Sequence, residues 1–521
     1  MISSDLSHKK TERFYRVAIH WAVAFTGAAI MVIELLGTRI IAPFYGASLY
    51  VWTSIISVTM IALAAGYYVG GKLSDRTQGF GISLVIGVGG FLVILIPVLS
   101  SFVLIHTNSF GLRTGSFVSA FILFTPSLLS LAMTGPFAIK LMAQQLSGVG
   151  SSVGSIYAVS TVGSVLGTVF LGFVLFPMLG SRAILFGTGF LLLTLALLFS
   201  FDDFRTFGRK LTPLWVSLLL LLAVFLFLGD QAFKRSVNGT GLTLKSEKES
   251  LYGWVRVLED TQKDLRILAN DASVIGADML STGETRLHYQ ILVDLLPQLY
   301  GGIQKVLLIG QGAGHIAVAL ERNYGVEVDS IEIDPAVADA AEKQFNFRSK
   351  GRKIVGDARY EISKLNGEYD LIIHDCFTGG AEPTHLLTVE TFDRLRGLLS
   401  EHGLVVLNTV ALFEKGQNSA LSSIVKTFDH TFPYHHVYRV MDETELSDFV
   451  MVGAKQPLKP VDTSQNFELS QWFEQKKVEV DVTKGVLLTD DFNPLADLQL
   501  EKSEAYRKLV VEWLGTDLMT L

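Results

Sequence analysis

The chain of 521 residues has a mean hydropathy of +0.40 and 49% hydrophobic residues, which excludes an ordinary soluble protein of one domain. Its net charge of -7 and the lack of a basic stripe argue against a nucleic-acid partner. The single cysteine, Cys376, excludes an intrachain disulfide and a multi-cysteine metal site.

The first half of the chain contains seven apolar runs close to the ~20 residues that cross a bilayer. The runs cover residues 17–37, 50–71, 82–105, 116–138, 153–178, 183–201 and 213–229. They predict a polytopic α-helical domain over residues 1–232, placed in the cell (inner) membrane. The charged start lacks a small-residue cleavage site, which predicts a retained first helix rather than a signal peptide.

Lysine and arginine near the helix ends predict the orientation of this domain. Ten lie on the N-terminal side and five on the opposite side, which places the N-terminus in the cytoplasm. Seven crossings would then put the second half of the chain outside. This conflicts with the use of a cytosolic nucleoside cofactor, so the side that the second half faces stays open.

After the polar linker "LGDQAFKRSVNGTG", charged residues return at ordinary globular density. Residues 252–275 alternate apolar and polar positions, which predicts a small antiparallel sheet in a β domain over 233–285. "KVLLIG" then reads as a buried strand, "GQGAG" as a turn, "HIAVALERNYG" as a helix and "VEVDSIEID" as a second strand. With later strands at "YDLIIHD" and "GLVVLNTV", the pattern predicts a Rossmann-like α/β domain with a doubly wound sheet over 286–521.

Three glycines in this unit suggest a nucleoside site. Gly310, Gly312 and Gly314 would let the backbone approach a ligand at the start of the following helix. Glu332 ends the second predicted strand, where a carboxylate can accept hydrogen bonds from both ribose hydroxyls. A strand-to-helix turn without a ligand is the alternative explanation of the glycines.

Two aspartates extend this predicted site. Asp357, in "GDAR", follows a short predicted strand and is suited to accept a hydrogen bond from an adenine amino group. Asp375 ends the buried strand "YDLIIHD" at the carboxyl edge of the sheet, where open α/β sheets bind ligands. One carboxylate for ribose, one for adenine and one to take a proton make a coherent site. A loop cap is the alternative role for Asp375.

The second half of the chain resembles the spermidine synthase family, the polyamine aminopropyltransferases. The motifs "YGWVRVLED", "LHYQILVDLLP", "VLLIGQGAG", "IEIDP", "GDAR" and "YDLIIHD" follow the family's order and spacing. The whole chain resembles the membrane-fused branch, through "VIELLGTRIIAPFYGASLYVW", "GGKLSDR", "STVGSVLGT" and "LTDDFNPL". The resemblance implies a methyltransferase-like sheet that binds decarboxylated S-adenosylmethionine, or S-adenosylmethionine itself, as co-substrate.

The resemblance also implies roles for single residues. Asp375 would be the catalytic proton acceptor, Glu332 would bind the ribose, Asp357 and Ala358 the adenine, and Tyr289, Gln290 and Thr378 would belong to the acceptor pocket. The chemistry fits, because a protonated amine must lose a proton before it attacks the carbon beside a sulfonium. The expected partners are a small-molecule amine and the lipid bilayer, with a homodimer left open, and no metal is expected.

Two positions depart from the family pattern. Ala313 stands where the family's glycine loop has an aspartate that holds the amine of the aminopropyl arm. Thr378 stands where the family has a second acid that helps bind the polyamine. The sequence therefore predicts a retained adenosine site and an altered polyamine site. A methyltransferase that uses intact S-adenosylmethionine, and a transporter or sensor that binds an adenosine ligand without catalysis, remain open alternatives.

Overall fold

In the computed structural model the chain divides into two compact units, one ending at residue 233 and one beginning at residue 241. The structure describes residues 2–46, 49–76, 81–142, 149–207, 211–233, 241–271, 273–377, 381–413, 419–441, 445–461 and 466–515.

The first unit is helical throughout its described part. Its helices are α1 (Ile2–Tyr45), α2 (Leu49–Arg76), α3 (Ile82–Thr107), α4 (Gly111–Ala132), α5 (Thr134–Met142), α6 (Val149–Phe170), α7 (Phe176–Met178), α8 (Ser181–Phe207) and α9 (Thr212–Phe233). A 3-10 turn at Asn108–Phe110 joins α3 to α4, and a π-helical segment at Leu171–Leu175 joins α6 to α7. Helices satisfy every internal backbone hydrogen bond, which suits long runs of apolar side chains.

Six helical segments of the described residues are long and apolar enough, by length and composition, to cross a membrane. They are Arg16–Tyr45, Leu49–Arg76, Ile82–Met142, Val149–Met178, Ser181–Phe201 and Thr212–Asp230. The predicted number of seven is not confirmed, because two of the seven apolar runs fall in the 61-residue segment Ile82–Met142. Within that segment α3 and α4 pack against each other, so the chain reverses direction at the 3-10 turn.

The second unit begins with a four-stranded antiparallel sheet. Its strands are β1 (Thr243–Glu249), β2 (Trp254–Asp260), β3 (Leu265–Asn270) and β4 (Ser273–Asp278). The alternation of residues 252–275 predicted such a sheet, and the structure confirms the prediction with strands that extend beyond that range at both ends. The side chains of Val255 and Val257 on β2 pack against helix α13 (Pro335–Gln344) and so hold the sheet against the rest of the unit.

A seven-stranded sheet with flanking helices forms the rest of the unit. Its strands are β5 (Lys305–Ile309), β6 (Glu327–Glu332), β7 (Lys353–Val355), β8 (Tyr369–His374), β9 (Leu399–Leu412), β10 (Tyr434–Arg439) and β11 (Leu446–Ala454). The helices are α10 (His288–Asp294), α11 (Leu296–Tyr300), α12 (His315–Tyr324), α13 (Pro335–Gln344), α14 (Ala358–Lys364), α15 (Val389–Leu398), α16 (Ser419–Thr431), α17 (Asn466–Lys476), α18 (Leu495–Leu498) and α19 (Leu500–Leu514).

The strand order β10-β11-β9-β8-β5-β6-β7, with β11 antiparallel to both neighbours, is that of a methyltransferase-type Rossmann-like sheet. Alternate residues of β5 face opposite sides, and both sides are buried: Leu307 and Ile309 join one apolar cluster, and Val306 and Leu308 join the other. The order reverses between β5 and β8. Ligands of open sheets bind beyond the carboxyl ends of the strands at such a reversal.

Candidate active site

A cavity of about 890 Å³ opens at the carboxyl ends of β5, β6, β8 and β9. The glycine turn after β5, the loops after β6 and β8, the small sheet, α10, β11 and α19 all contribute to its wall. A volume of this size is typical of small-molecule sites. The sheet edge at which the sequence placed a nucleoside site is therefore the edge that carries the cavity.

The turn after β5 requires its glycines. Gly310 has φ +89°, and a Cβ there would collide with the backbone oxygen of Asp375. Gly314 has φ +84°, and a Cβ there would collide with the Phe347 ring. Gly310 and Gly312 line the cavity, whereas Gly314 lies outside the lining and packs where α12 begins. Of the three predicted glycines, two therefore lie where a ligand can bind, and the third is required for packing.

Glu332 ends β6, is 8% exposed and reaches the cavity. Its Oε2 accepts a hydrogen bond from the backbone N–H of Gly312 at 3.1 Å, and its Oε1 accepts one from Asp334 at 3.1 Å. Burial nevertheless raises the pKa of Glu332 to about 7. The carboxyl group is fixed by the backbone on both sides, and further donors from a ligand would favour its ionised form.

Asp357 and Ala358 lie at the start of α14 and line the same cavity. Asp357 Oδ1 accepts a hydrogen bond from the backbone N–H of Tyr360 at 3.0 Å, so the side chain caps the helix. Its Oδ2 is 3.9 Å from Nε2 of His385, which also lines the cavity. Capping fixes the orientation of the carboxylate at the cavity wall.

Asp375 follows β8 and is held by two side chains. The Tyr289 hydroxyl donates to its Oδ2 at 2.8 Å, and Nδ2 of Asn408 on β9 donates to its Oδ1 at 3.0 Å. Burial raises the pKa of Asp375 to about 6, and these two hydrogen bonds act in the opposite direction without cancelling the effect of burial. The group is therefore mostly ionised at neutral pH and is a stronger base than a carboxylate of ordinary pKa.

Two of the three residues predicted for the acceptor pocket, Tyr289 and Gln290, are connected to Asp375. Gln290 Nε2 donates to the Tyr289 hydroxyl at 3.1 Å, and the Thr285 hydroxyl donates to Gln290 Oε1 at 2.6 Å. With its oxygen occupied by Gln290, the Tyr289 hydroxyl directs its own hydrogen to Asp375. Tyr289 and Gln290 both line the cavity, so the structure brings them together with the predicted base.

Of the two residues that depart from the family pattern, Ala313 and Thr378, the structure describes only Ala313. Ala313 is 3% exposed, is absent from the cavity lining and packs in an apolar cluster with Val255 and Val257. A Cβ added to Gly276 would collide with the Ala313 methyl group, so the two positions are in close contact. Thr378 lies outside the described residues.

Sequence reasoning missed several residues on the far side of the cavity. Asn408 and Asp448 are polar positions within the apolar strands β9 and β11, and that interruption was a usable signal. Tyr506 and Trp513 reach the cavity from α19. No motif marks α19 as part of a site, because only the fold brings the end of this unit to the carboxyl edge of the sheet.

Comparison with known proteins identifies relatives of two kinds. The N-terminal histidine N-methyltransferase of Emericella nidulans is 28% identical over 260 residues, which are 43% of this chain and 45% of that protein. The polyamine aminopropyltransferase of Vibrio vulnificus is 33% identical over 179 residues, 32% of this chain and 59% of that protein. The chain therefore spans 45% and 59% of the length of these two relatives.

A longer match comes from polyamine aminopropyltransferase 2 of Aquifex aeolicus, which is 21% identical over 470 residues, 87% of this chain and 90% of that protein. By these matches the chain is similar to polyamine aminopropyltransferases, in one case along most of its length. No family model matches the chain. Among solved structures, the spermidine synthase of Thermotoga maritima aligns with a TM-score of 0.35 at 17% identity, over 52% of this chain and 87% of that one.

Proposed function

We propose that this chain is a member of the spermidine synthase family and a membrane-anchored transferase that moves an aminopropyl group from decarboxylated S-adenosylmethionine to an amine. The observation that carries the proposal is the position of Asp375, which shares one cavity with Glu332 and Asp357. That cavity combines carboxylates suited to ribose and adenine with a half-buried carboxylate suited to accept a proton.

In the proposed reaction the acceptor nitrogen attacks the methylene carbon beside the sulfonium of the donor. The new C–N bond forms as the C–S bond breaks, and its electron pair passes to sulfur, which leaves neutral methylthioadenosine. The proton lost by the nitrogen passes to Asp375, held by Tyr289 and Asn408. The sulfonium is a good leaving group, so positioning of the two reactants supplies much of the rate enhancement.

The membrane anchor is part of the proposal. The six long apolar segments support it, and the count becomes seven crossings if α3 and α4, 26 and 22 residues long, each cross separately. In this proposal the chain lies in the cell (inner) membrane with its N-terminus in the cytoplasm. The membrane domain is followed by a small β domain over residues 233–285 and by the Rossmann-like transferase domain over residues 286–521. An amine acceptor and a homodimer complete this proposal.

Methyl transfer from intact S-adenosylmethionine is the second candidate, and two observations favour it. Ala313 packs in the apolar cluster and does not line the cavity. The position at which the family pattern has an acid for the aminopropyl amine therefore offers no charge to the cavity in this chain. A relative with 28% identity is named as an N-methyltransferase. The same base and the same adenosine carboxylates would serve this reaction.

Product analysis decides between the candidates. The full-length chain, purified in detergent, is incubated with putrescine and either decarboxylated or intact S-adenosylmethionine, and nucleoside products are quantified by mass spectrometry. We expect amine-dependent methylthioadenosine from the decarboxylated donor. S-adenosylhomocysteine from the intact donor would support methyl transfer instead. Nucleoside binding without either product would contradict both reactions and support the non-catalytic alternative.

A further inference from the structure

A second carboxylate lies beside the proposed base, on a different strand. In the register of β9 with β11, Asp448 is opposite Val410, and Val450 is opposite Asn408. Because side chains alternate along a strand, Asn408, Val410 and Asp448 share one face of the sheet. All three line the cavity next to Asp375.

The half-buried Asp448 differs from Glu382, a buried acid of the same region, because no cation is paired with it among the described residues. Glu382 is 3% exposed and is paired with the ammonium group of Lys502, and Gln499 and Thr409 also donate to it. Within the described ranges no ion pair joins Asp448 to a lysine, arginine or histidine. A desolvated carboxylate without a cation is costly, so the pocket at Asp448 favours a positively charged ligand.

Asn408, which donates to Asp375 and whose hydrogen bonding also lowers the pKa of Asp448, carries an acceptor atom without a partner. Asn408 is 1% exposed and its Nδ2 is used by Asp375, but its Oδ1 is buried and has no hydrogen-bond partner among the described residues. A buried amide oxygen without a donor is destabilising and calls for a donor from a ligand. An ammonium group carries three N–H donors and no acceptor, which matches an amide oxygen beside a carboxylate.

Electrostatics agree with this arrangement. Burial, and next the negative charge of Asp375, raise the pKa of Asp448 to about 7. The two carboxylates therefore repel each other across the cavity wall, and a cation between them would relieve that repulsion.

We propose that Asp448 on β11 is a specificity-determining residue, which together with Asn408 Oδ1 binds a protonated nitrogen of the acceptor other than the one that reacts. This inference rests on the proposed function and adds to it a cation site supplied by a strand rather than by the loop after Asp375. It places negative charge in the acceptor pocket at a position that the family resemblance does not mark.

The test compares putrescine with butylamine, which has the same carbon chain and one ammonium group fewer. Both amines are titrated calorimetrically into the full-length chain saturated with methylthioadenosine, for wild type, Asp448→Asn and Glu512→Gln. Glu512 is an exposed acid at the cavity rim, so its variant removes the same charge in a screened position. Steady-state KM and kcat for both amines are measured in parallel with the preferred donor.

We expect Asp448→Asn to weaken putrescine binding and raise its KM by about ten- to a hundredfold, the usual effect of a hydrogen bond to a charged group. Butylamine should change little, which also shows that the variant is folded, and Glu512→Gln should change both amines little. Unchanged putrescine affinity in Asp448→Asn, or equal losses for both amines, would overturn the inference. Putrescine binding through Asp448 without turnover of any amine by the wild type would instead contradict the proposed function and leave the cation site standing.

Discussion

The two ends of the cavity are built in different ways. At the donor end Gly312, Glu332 and Asp357 lie at the ends of successive strands, and backbone N–H groups hold both carboxylates. At the acceptor end Asp375 is held by side chains from α10 and β9, far away in the chain. The donor end therefore depends on local turns, whereas the acceptor end depends on long-range packing that can change without disturbing the turns.

The largest expected effect is at the acceptor end. Asp375→Asn removes the proposed base and keeps the shape of the side chain, so turnover should fall on the order of 100-fold or more. Binding of methylthioadenosine should persist, because the ribose and adenine carboxylates are intact. Initial rates and calorimetry measure the two effects separately. Asp491→Asn, which alters an exposed acid outside the cavity lining, is the matched control. Unchanged turnover in Asp375→Asn would contradict the role of Asp375 as the base.

A smaller effect is expected at the donor end. Glu332→Gln should weaken methylthioadenosine binding roughly ten- to a hundredfold, because hydrogen bonds to a charged group contribute about 1.5–3 kcal/mol. The donor affinity of the wild type should also fall as the pH decreases below about 7, the pKa to which burial raises Glu332, since protonation removes an acceptor. The glutamine variant should lose this pH dependence.

Glu327→Gln is the control for the donor end, since Glu327 begins the same strand and is exposed. Calorimetry over the pH series measures both variants. Equal affinity of the wild type and Glu332→Gln would show that the carboxylate does not bind the ribose.

The contrast between the two ends of the cavity can also be tested at Ala313, by restoring the aspartate that the family pattern has at this position. Ala313→Asp places a carboxyl group in the cluster with Val255 and Val257, which should lower the free energy of unfolding by about 1–3 kcal/mol. We expect no gain in preference for the decarboxylated donor, because Ala313 does not line the cavity. Thermal unfolding and donor titration of the full-length chain measure both properties. Retained stability with tighter binding of the decarboxylated donor would show that this position reaches the donor after all.

The donor end, which depends on local turns, could be predicted from the sequence, whereas the parts of the acceptor end that depend on long-range packing could not. Strand, turn and helix around Gly310 follow from a short pattern of apolar and glycine residues, and the Rossmann-like sheet follows from its repetition. Glu332 was predicted because it ends a strand and Asp357 because it follows one, and each position depends on the local chain alone. Asp448 could not be paired with Asp375 from the sequence, because their proximity depends on β11 inserting antiparallel between β9 and β10. The number of apolar helical segments was predicted as seven rather than six for a related reason, since composition does not show that a 3-10 turn joins α3 and α4 without a break in the helical structure.

The smallest expected effect concerns the hydrogen bond between Tyr289 and Asp375. This bond lowers the pKa of Asp375, so Tyr289→Phe should raise that pKa above its value of about 6. The base must be ionised to accept a proton, so turnover falls as the pH decreases through this pKa, and the acidic limb of the profile should move to higher pH in the variant. At neutral pH the loss should be about two- to tenfold, the net effect of one hydrogen bond. Measuring kcat from about pH 5 to about pH 8, with the exposed Tyr360→Phe as control, tests this shift. An unmoved acidic limb would mean that a group other than Asp375 accepts the proton.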